Sequence, residues 1–164
     1  MYLRKTTVAF GIFIILSSSF ARQVMDFIKT HIGQGFFLGL VGLFGLLVIS
    51  YFIFFITKKA PSFLKISVFI VALIAGIAFV WQMKIPEEKI HIFEFSILGW
   101  FAAKDLSKTK RSFKGFACAL LFASFIGALD EVFQAILPYR FFQWKDIAFN
   151  IVGGGWGVLL YLLS

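Results

Sequence analysis

The sequence predicts an all-α protein, a polytopic transmembrane bundle of about six helices formed by one domain over residues 1–164. Three observations predict it. Composition is the first: 60% of the residues are hydrophobic, 20% aromatic and only 15% charged, whereas soluble domains carry about 25% charged residues. The mean hydropathy is +0.93. Second, the apolar residues gather in the runs 8–20, 36–56, 66–83, 90–106, 113–134 and 147–163. A span needs about 20 apolar residues, so six would take about 120 and leave about 44 for ends and loops. Third, Pro61, Pro86 and Pro138 all fall between these runs, where a helix breaker belongs. Soluble globular, disordered and disulfide-stapled classes are excluded. The single Cys118 lies in an apolar run and has no cysteine partner, which removes a thiolate metal cluster.

Each run must be helical, because a strand edge in hydrocarbon would leave backbone groups unpaired. The first run follows Arg4 and Lys5 and ends near Ser19-Phe20-Ala21, a pattern shared by cleaved signal peptides. A retained helix is the favoured reading. Residues 21–34, with Asp26 and Lys29, read as a short outer segment resembling an interfacial helix. The phenylalanines of runs two and three, with Gly35, Gly39 and Gly42, read as lipid contact and packing. Run four ends in a basic loop, 104–114, which sets topology and suits anionic lipid. Runs five and six are joined by a loop holding Pro138 and Arg140.

Basic residues number 10 on the side shared by the two termini and the 104–114 loop, and 6 on the other side. The positive-inside rule therefore places both termini in the cytoplasm of a multi-pass cell-membrane protein. The net charge of +8 reads as topology and lipid contact, and no nucleic-acid partner is expected. Asp105 alone among the acidic residues falls on the cytoplasmic side; Asp26, Glu87, Glu88, Glu94, Asp130, Glu131 and Asp146 fall on or near the outer side.

That grouping defines the candidate site. His91 and Glu94 are three residues apart in run four, so they share a helical face. Asp130 and Gln134 are four apart at the end of run five, with Glu131 beside them; Asp146 and Asn150 are four apart at the start of run six. Each charge placed in hydrocarbon costs about 2.5–3.5 kcal/mol or more. The residues are therefore expected to face one extracytoplasmic polar pocket, sunk about one turn into the outer leaflet. Carboxylates gathered there must be protonated, paired with His91 or Arg140, or bridged by a divalent cation. Plainer roles compete: Asp146 as an N-cap, Arg140 and Lys145 as interfacial anchors, His91 as an interfacial histidine, and Asn150, Gly153 and Gly157 as a small-residue packing face. No G-x-S-x-G, Walker loop, H-E-x-x-H or Cys/His cluster occurs in the sequence.

The run Glu88-Lys89-Ile90-His91-Ile92-Phe93-Glu94-Phe95-Ser96-Ile97-Leu98-Gly99 resembles the H-x-x-E-[YF]-x-x-L-G signature of VanZ-like proteins. Asp130, Glu131, Gln134, Pro138, Arg140, Asp146, Asn150 and Gly153 resemble that family's second signature, D-E-x-x-Q, P-x-R, D-x-x-x-N-x-x-G. Ser17, Ser18, Ser19 and Gln23 loosely resemble the serine-rich end of its first helix, and Phe95 stands where tyrosine is commoner. The resemblance implies a bacterial membrane protein acting on a lipid head group or lipid-linked envelope precursor, with a role in glycopeptide (teicoplanin) resistance among its possibilities. His91, Glu94, Asp130 and Glu131 would be catalytic; Gln134, Arg140, Asp146 and Asn150 would bind substrate. The competing readings are a non-catalytic binder of an envelope lipid or glycopeptide, and a transporter. The transporter is disfavoured because the polar residues gather near one face instead of the midplane.

The charge count yields a direct expectation. A tag placed after Ser164 should be unreachable from outside intact cells; labelling of that tag by an impermeant reagent would reverse the topology.

Overall fold

A computed structural model describes residues 2–31, 62–83, 86–107 and 113–164, with Gly39, Leu43, Leu46, Ser50 and Phe54 as isolated helical positions. The rest of run two and the basic residues at 108–111 lie outside the described residues. Five helices are described in full: α1, Lys5–His31; α2, Phe63–Gln82; α3, Pro86–Leu106; α4, Phe113–Ile136; and α5, Trp144–Leu163. No strand occurs among the described residues.

Three of these helices, α2, α4 and α5, are long and apolar enough to cross a membrane. The apolar part of α1, Lys5–Phe20, is shorter. Helix α3 is not in this group because its 21 residues include Glu87, Glu88, Lys89, His91, Glu94, Lys104 and Asp105. Helix α3 thus carries His91 and Glu94 among the polar residues that set it apart from the apolar helices.

Helix boundaries depart from the apolar runs at the polar ends. Helix α1 continues to His31, so residues 21–31 of the expected outer segment are instead its continuation, and no proline or glycine interrupts the helix after Gly11. Helix α3 begins at Pro86, where proline suits a first helical turn that needs no N–H donor. Helix α5 begins at Trp144, with Gln143 as its N-cap. Asp146 is therefore the third helical residue and not the cap, although a carboxylate in that first turn still faces the positive end of the helix dipole.

Helices α3, α4 and α5 form the centre; α1 packs on α3 and α4, and α2 touches α5. The tightest contact is between α3 and α5, where backbone meets backbone. A methyl group at Gly157 would strike Ser96 O, and one at Gly153 would lie 2.7 Å from Ile92 O. Ser96 Oγ lies 2.6 Å from Ile92 O and 3.1 Å from Gly153 O, so its proton bridges both helices. Such small-residue approach is how helices associate where lipid removes the hydrophobic driving force.

Apolar packing fills the space below. Ile14, Phe95, Leu98, Ala123 and Ile126 make one buried cluster; Ala102, Ala103, Leu106, Ala119 and Val158 make a second, flanked by Cys118. Below them Asp105 accepts from Thr7 Oγ1 at 2.6 Å and Arg4 N at 2.9 Å, and lies 3.2 Å from Arg4 Nε. This ties the start of α1 to the end of α3. Helix α2 is mostly exposed apolar surface, as expected of a lipid-facing helix, with Phe69 buried. It is seated on α5 through Trp156, whose Nε1 donates to Ala72 O at 3.2 Å.

Two glycine substitutions separate packing from propensity. Gly155 meets only Leu120 Cδ1 at 3.7 Å, an ordinary contact. Gly155→Ala should hold or raise thermal stability in detergent, since alanine is favoured over glycine in a helix by about 1 kcal/mol. Gly157→Ala should lower it by about 1–3 kcal/mol, the usual range for overpacking. Equal melting temperatures for the two variants would contradict the close approach.

Candidate functional site

The polar residues meet where α3 and α5 begin and α4 ends. His91, Asp130, Glu131, Gln134, Asp146 and Asn150 are all buried, and Asp130 and Glu131 are 0% exposed. Helical spacing explains the grouping on α4: Asp130, Glu131 and Gln134 project from adjacent turns toward the bundle interior. The outward-facing Val132 and Ile136 are exposed.

Gln134 is the hub. Its Nε2 donates to Asp130 Oδ2 at 2.9 Å and Glu131 Oε1 at 3.3 Å. Its Oε1 accepts from Arg140 Nε at 2.9 Å and from Arg140 Nη2. An amide suits this place because it is donor and acceptor at once. Arg140 therefore turns inward onto the amide, unlike a simple surface anchor. Lys145 stays exposed, its Nζ 5.2 Å from the Phe149 ring centroid.

His91 approaches from α3, with Nδ1 3.7 Å from Asp130 Oδ2 and its ring stacked against Phe95 at a centroid distance of 6.4 Å. Phe95 itself belongs to the buried apolar cluster, so it serves as an apolar wall beside the imidazole. Glu94 and Asp146 are close enough to Asp130 for their charges to interact, and Asp146 also acts on Glu131. Four carboxyl groups thus share one neighbourhood with Arg140.

Asn150, one turn after Asp146 on α5, is also fully buried. Its Nδ2 donates to Gly127 O at 3.4 Å, and a methyl on Gly127 would lie 2.7 Å from Asn150 Cβ. Among the candidates, Asn150 thus bridges α4 and α5 at a close crossing.

Three further groups complete the site. Gln143 N donates to Glu131 Oε2 at 3.1 Å; a backbone donor leaves no sequence signal. Ser18 of α1 lies beside Asp130, while its hydroxyl donates to Ile15 O at 2.7 Å. Its place in the serine-rich end of α1 is the trace it leaves in the sequence. Tyr139 Oη donates to Ser19 O at 2.7 Å and fastens the α4–α5 loop to α1.

Chemically, the site offers an imidazole and carboxyl groups for proton transfer, with a guanidinium where the loop crosses its edge. His91, Asp130 and Glu131 each present a ligand-type atom, and these atoms lie within 4.8 Å of one another.

Gln134→Leu keeps size but removes both halves of the hub. Arg140 and the two carboxyl groups would lose partners they now hold, at a cost of about 1–3 kcal/mol for each buried group left unsatisfied. Thermal unfolding in detergent should show a lower midpoint than wild type; an unchanged midpoint would mean the hub contributes nothing to the fold.

No curated protein and no solved structure matches the chain. The VanZ/LLP1 family model matches residues 6–164, which takes in α1 as well as both polar signatures. With that match and helices suited to crossing a membrane, the chain is a VanZ-like membrane protein and belongs to the VanZ/LLP1 family.

Proposed function

We propose that this protein is a multi-pass cell-membrane enzyme acting on a lipid head group or lipid-linked envelope precursor at an extracytoplasmic site. The observation that carries this reading is the buried juxtaposition of His91, Asp130 and Glu131, held by Gln134 and edged by Arg140. Buried ionisable groups in apolar helices are costly, and a purely structural network would be served by fewer carboxyl groups.

In this reading the substrate's tail stays in lipid and its polar head enters the pocket between helices. Arg140 holds a phosphate or carboxylate of the head group, a task suited to a guanidinium fork. One of His91, Glu94 and Glu131 removes a proton from the attacking group, and another protonates the leaving group. Asp130 orients the imidazole. The reaction class is hydrolysis or group transfer. Both termini lie in the cytoplasm, which puts the 137–143 loop outside, and a contribution to glycopeptide resistance belongs to the same reading.

The test is a paired one. Purified wild-type protein in vesicles of bacterial lipid should alter a head group, detected by mass spectrometry of the lipids. Glu131→Gln should reduce the rate by about 10²- to 10⁴-fold, the usual share of a general acid or base, while lipid still co-purifies. Arg140→Ala should reduce co-purification itself. Lipid that co-purifies with wild type and is never altered would instead identify a binder.

A further inference from the structure

We infer that His91, Asp130 and Glu131 form a binding site for one transition-metal dication of the Zn²⁺ or Mn²⁺ type. The inference deepens the proposed enzymatic reading of this site but concerns binding alone, so either can fail without the other.

Geometry is the first support. One nitrogen and two carboxylate oxygens from two helices come within 4.8 Å of one another, and all three residues are buried. Metal–ligand bonds to these atoms are about 2.0–2.2 Å, so the donors need draw together by only roughly 1 Å to share an ion.

The second support is the bonding of Asp130 itself. Asp130 is 0% exposed, yet its Oδ1 has no hydrogen-bond partner. The nearby Ser18 hydroxyl acts on Asp130, but its close hydrogen bond, at 2.7 Å, goes to Ile15 O. Gln134 donates to Oδ2 instead. A buried carboxylate short of donors costs free energy, and a cation shared with His91 and Glu131 would offset that cost.

Charge points the same way. Arg140 interacts electrostatically with both Asp130 and Glu131, but its guanidinium hydrogen bonds go to the Gln134 carbonyl. The carboxyl groups at the centre thus receive no direct ion pair from it. Gln134 itself has the posture of an outer-shell residue: it hydrogen-bonds both carboxylate ligands and is oriented in turn by Arg140.

The donor set selects the class of ion. An imidazole nitrogen favours transition metals, whereas Mg²⁺ and Ca²⁺ prefer all-oxygen sites. Three protein ligands leave open positions, the arrangement of a catalytic ion rather than a structural one. With an ion bound, His91 and Glu131 would serve as ligands in place of proton carriers, and Glu94, outside the set, would be the group left to move protons.

The test uses the full chain purified in detergent, stripped with chelator, and equilibrated separately with Zn²⁺, Mn²⁺, Mg²⁺ and Ca²⁺. Bound metal is read by elemental mass spectrometry and affinity by titration. Wild type should take up one Zn²⁺ or Mn²⁺ per chain in preference to Mg²⁺ and Ca²⁺. His91→Ala, Asp130→Asn and Glu131→Gln should each lose it, Gln134→Leu should bind about 10- to 100-fold more weakly, and Glu94→Gln, which removes a neighbouring charge but no ligand, should still take up one ion per chain. Helical circular dichroism identifies any variant that fails to fold. The wild-type measurement decides alone if none does: no stoichiometric uptake of Zn²⁺ or Mn²⁺ overturns the inference. Undiminished uptake by folded His91→Ala or Asp130→Asn, or loss of uptake in folded Glu94→Gln, overturns the ligand assignment.

Discussion

The separation between α3 and α5 is fixed by backbone, and the rest of the bundle depends on it. Gly153 and Gly157 bring α5 against the carbonyls of Ile92 and Ser96, and the Ser96 hydroxyl reaches both helices. Side chains repack when perturbed, but two backbones in contact have little freedom to do so. His91 lies one residue before Ile92, and Asp146 lies two turns before Gly153. The contact that sets the interhelical distance therefore also sets how near the polar ends of α3 and α5 come to Asp130 and Glu131.

Above that contact the energetics change sign. The clusters around Phe95 and Ala119 are apolar and packed, whereas the next turn outward gathers His91, Asp130, Glu131 and Asp146 in a buried space. Low dielectric makes satisfied polar networks strong and unsatisfied ones costly. Gln134 makes this arrangement tolerable by donating to two carboxyl groups while accepting from Arg140. Apolar packing is thus concentrated in one part of the bundle and the buried ionisable groups at its polar end.

Much of this was legible in the sequence, for identifiable reasons. Hydropathy and proline placement locate helices because lipid leaves the backbone no other choice. The pairs Asp130 with Gln134 and His91 with Glu94 were readable because helical periodicity is local. What was not legible depends on where the chain returns in space. Ser18 reaches Asp130 across 112 residues, and Gln143 contributes a backbone N–H that no residue type announces. A cap role competed with the site role for Asp146 because an aspartate beside an apolar run is often a cap; the start of α5 at Trp144 removes the cap role. Likewise α1 runs on to His31 because a polar sequence without breakers can still be helical.

Helix α1 is fastened near both ends of its inner stretch: Thr7 to Asp105, and Ser19 to Tyr139 of the α4–α5 loop. Twelve residues of helix separate the two fastenings, about 18 Å at 1.5 Å per residue. The stretch acts as a measuring rod between the Asp105 end of α3 and the α4–α5 loop. Adding or removing one residue within it would alter its length by only about 1.5 Å but turn everything beyond by about 100°. Ser18 would then swing away from Asp130. Length and angular phase are locked together, so α1 tolerates exchanged side chains along its lipid face far better than any change in its residue count.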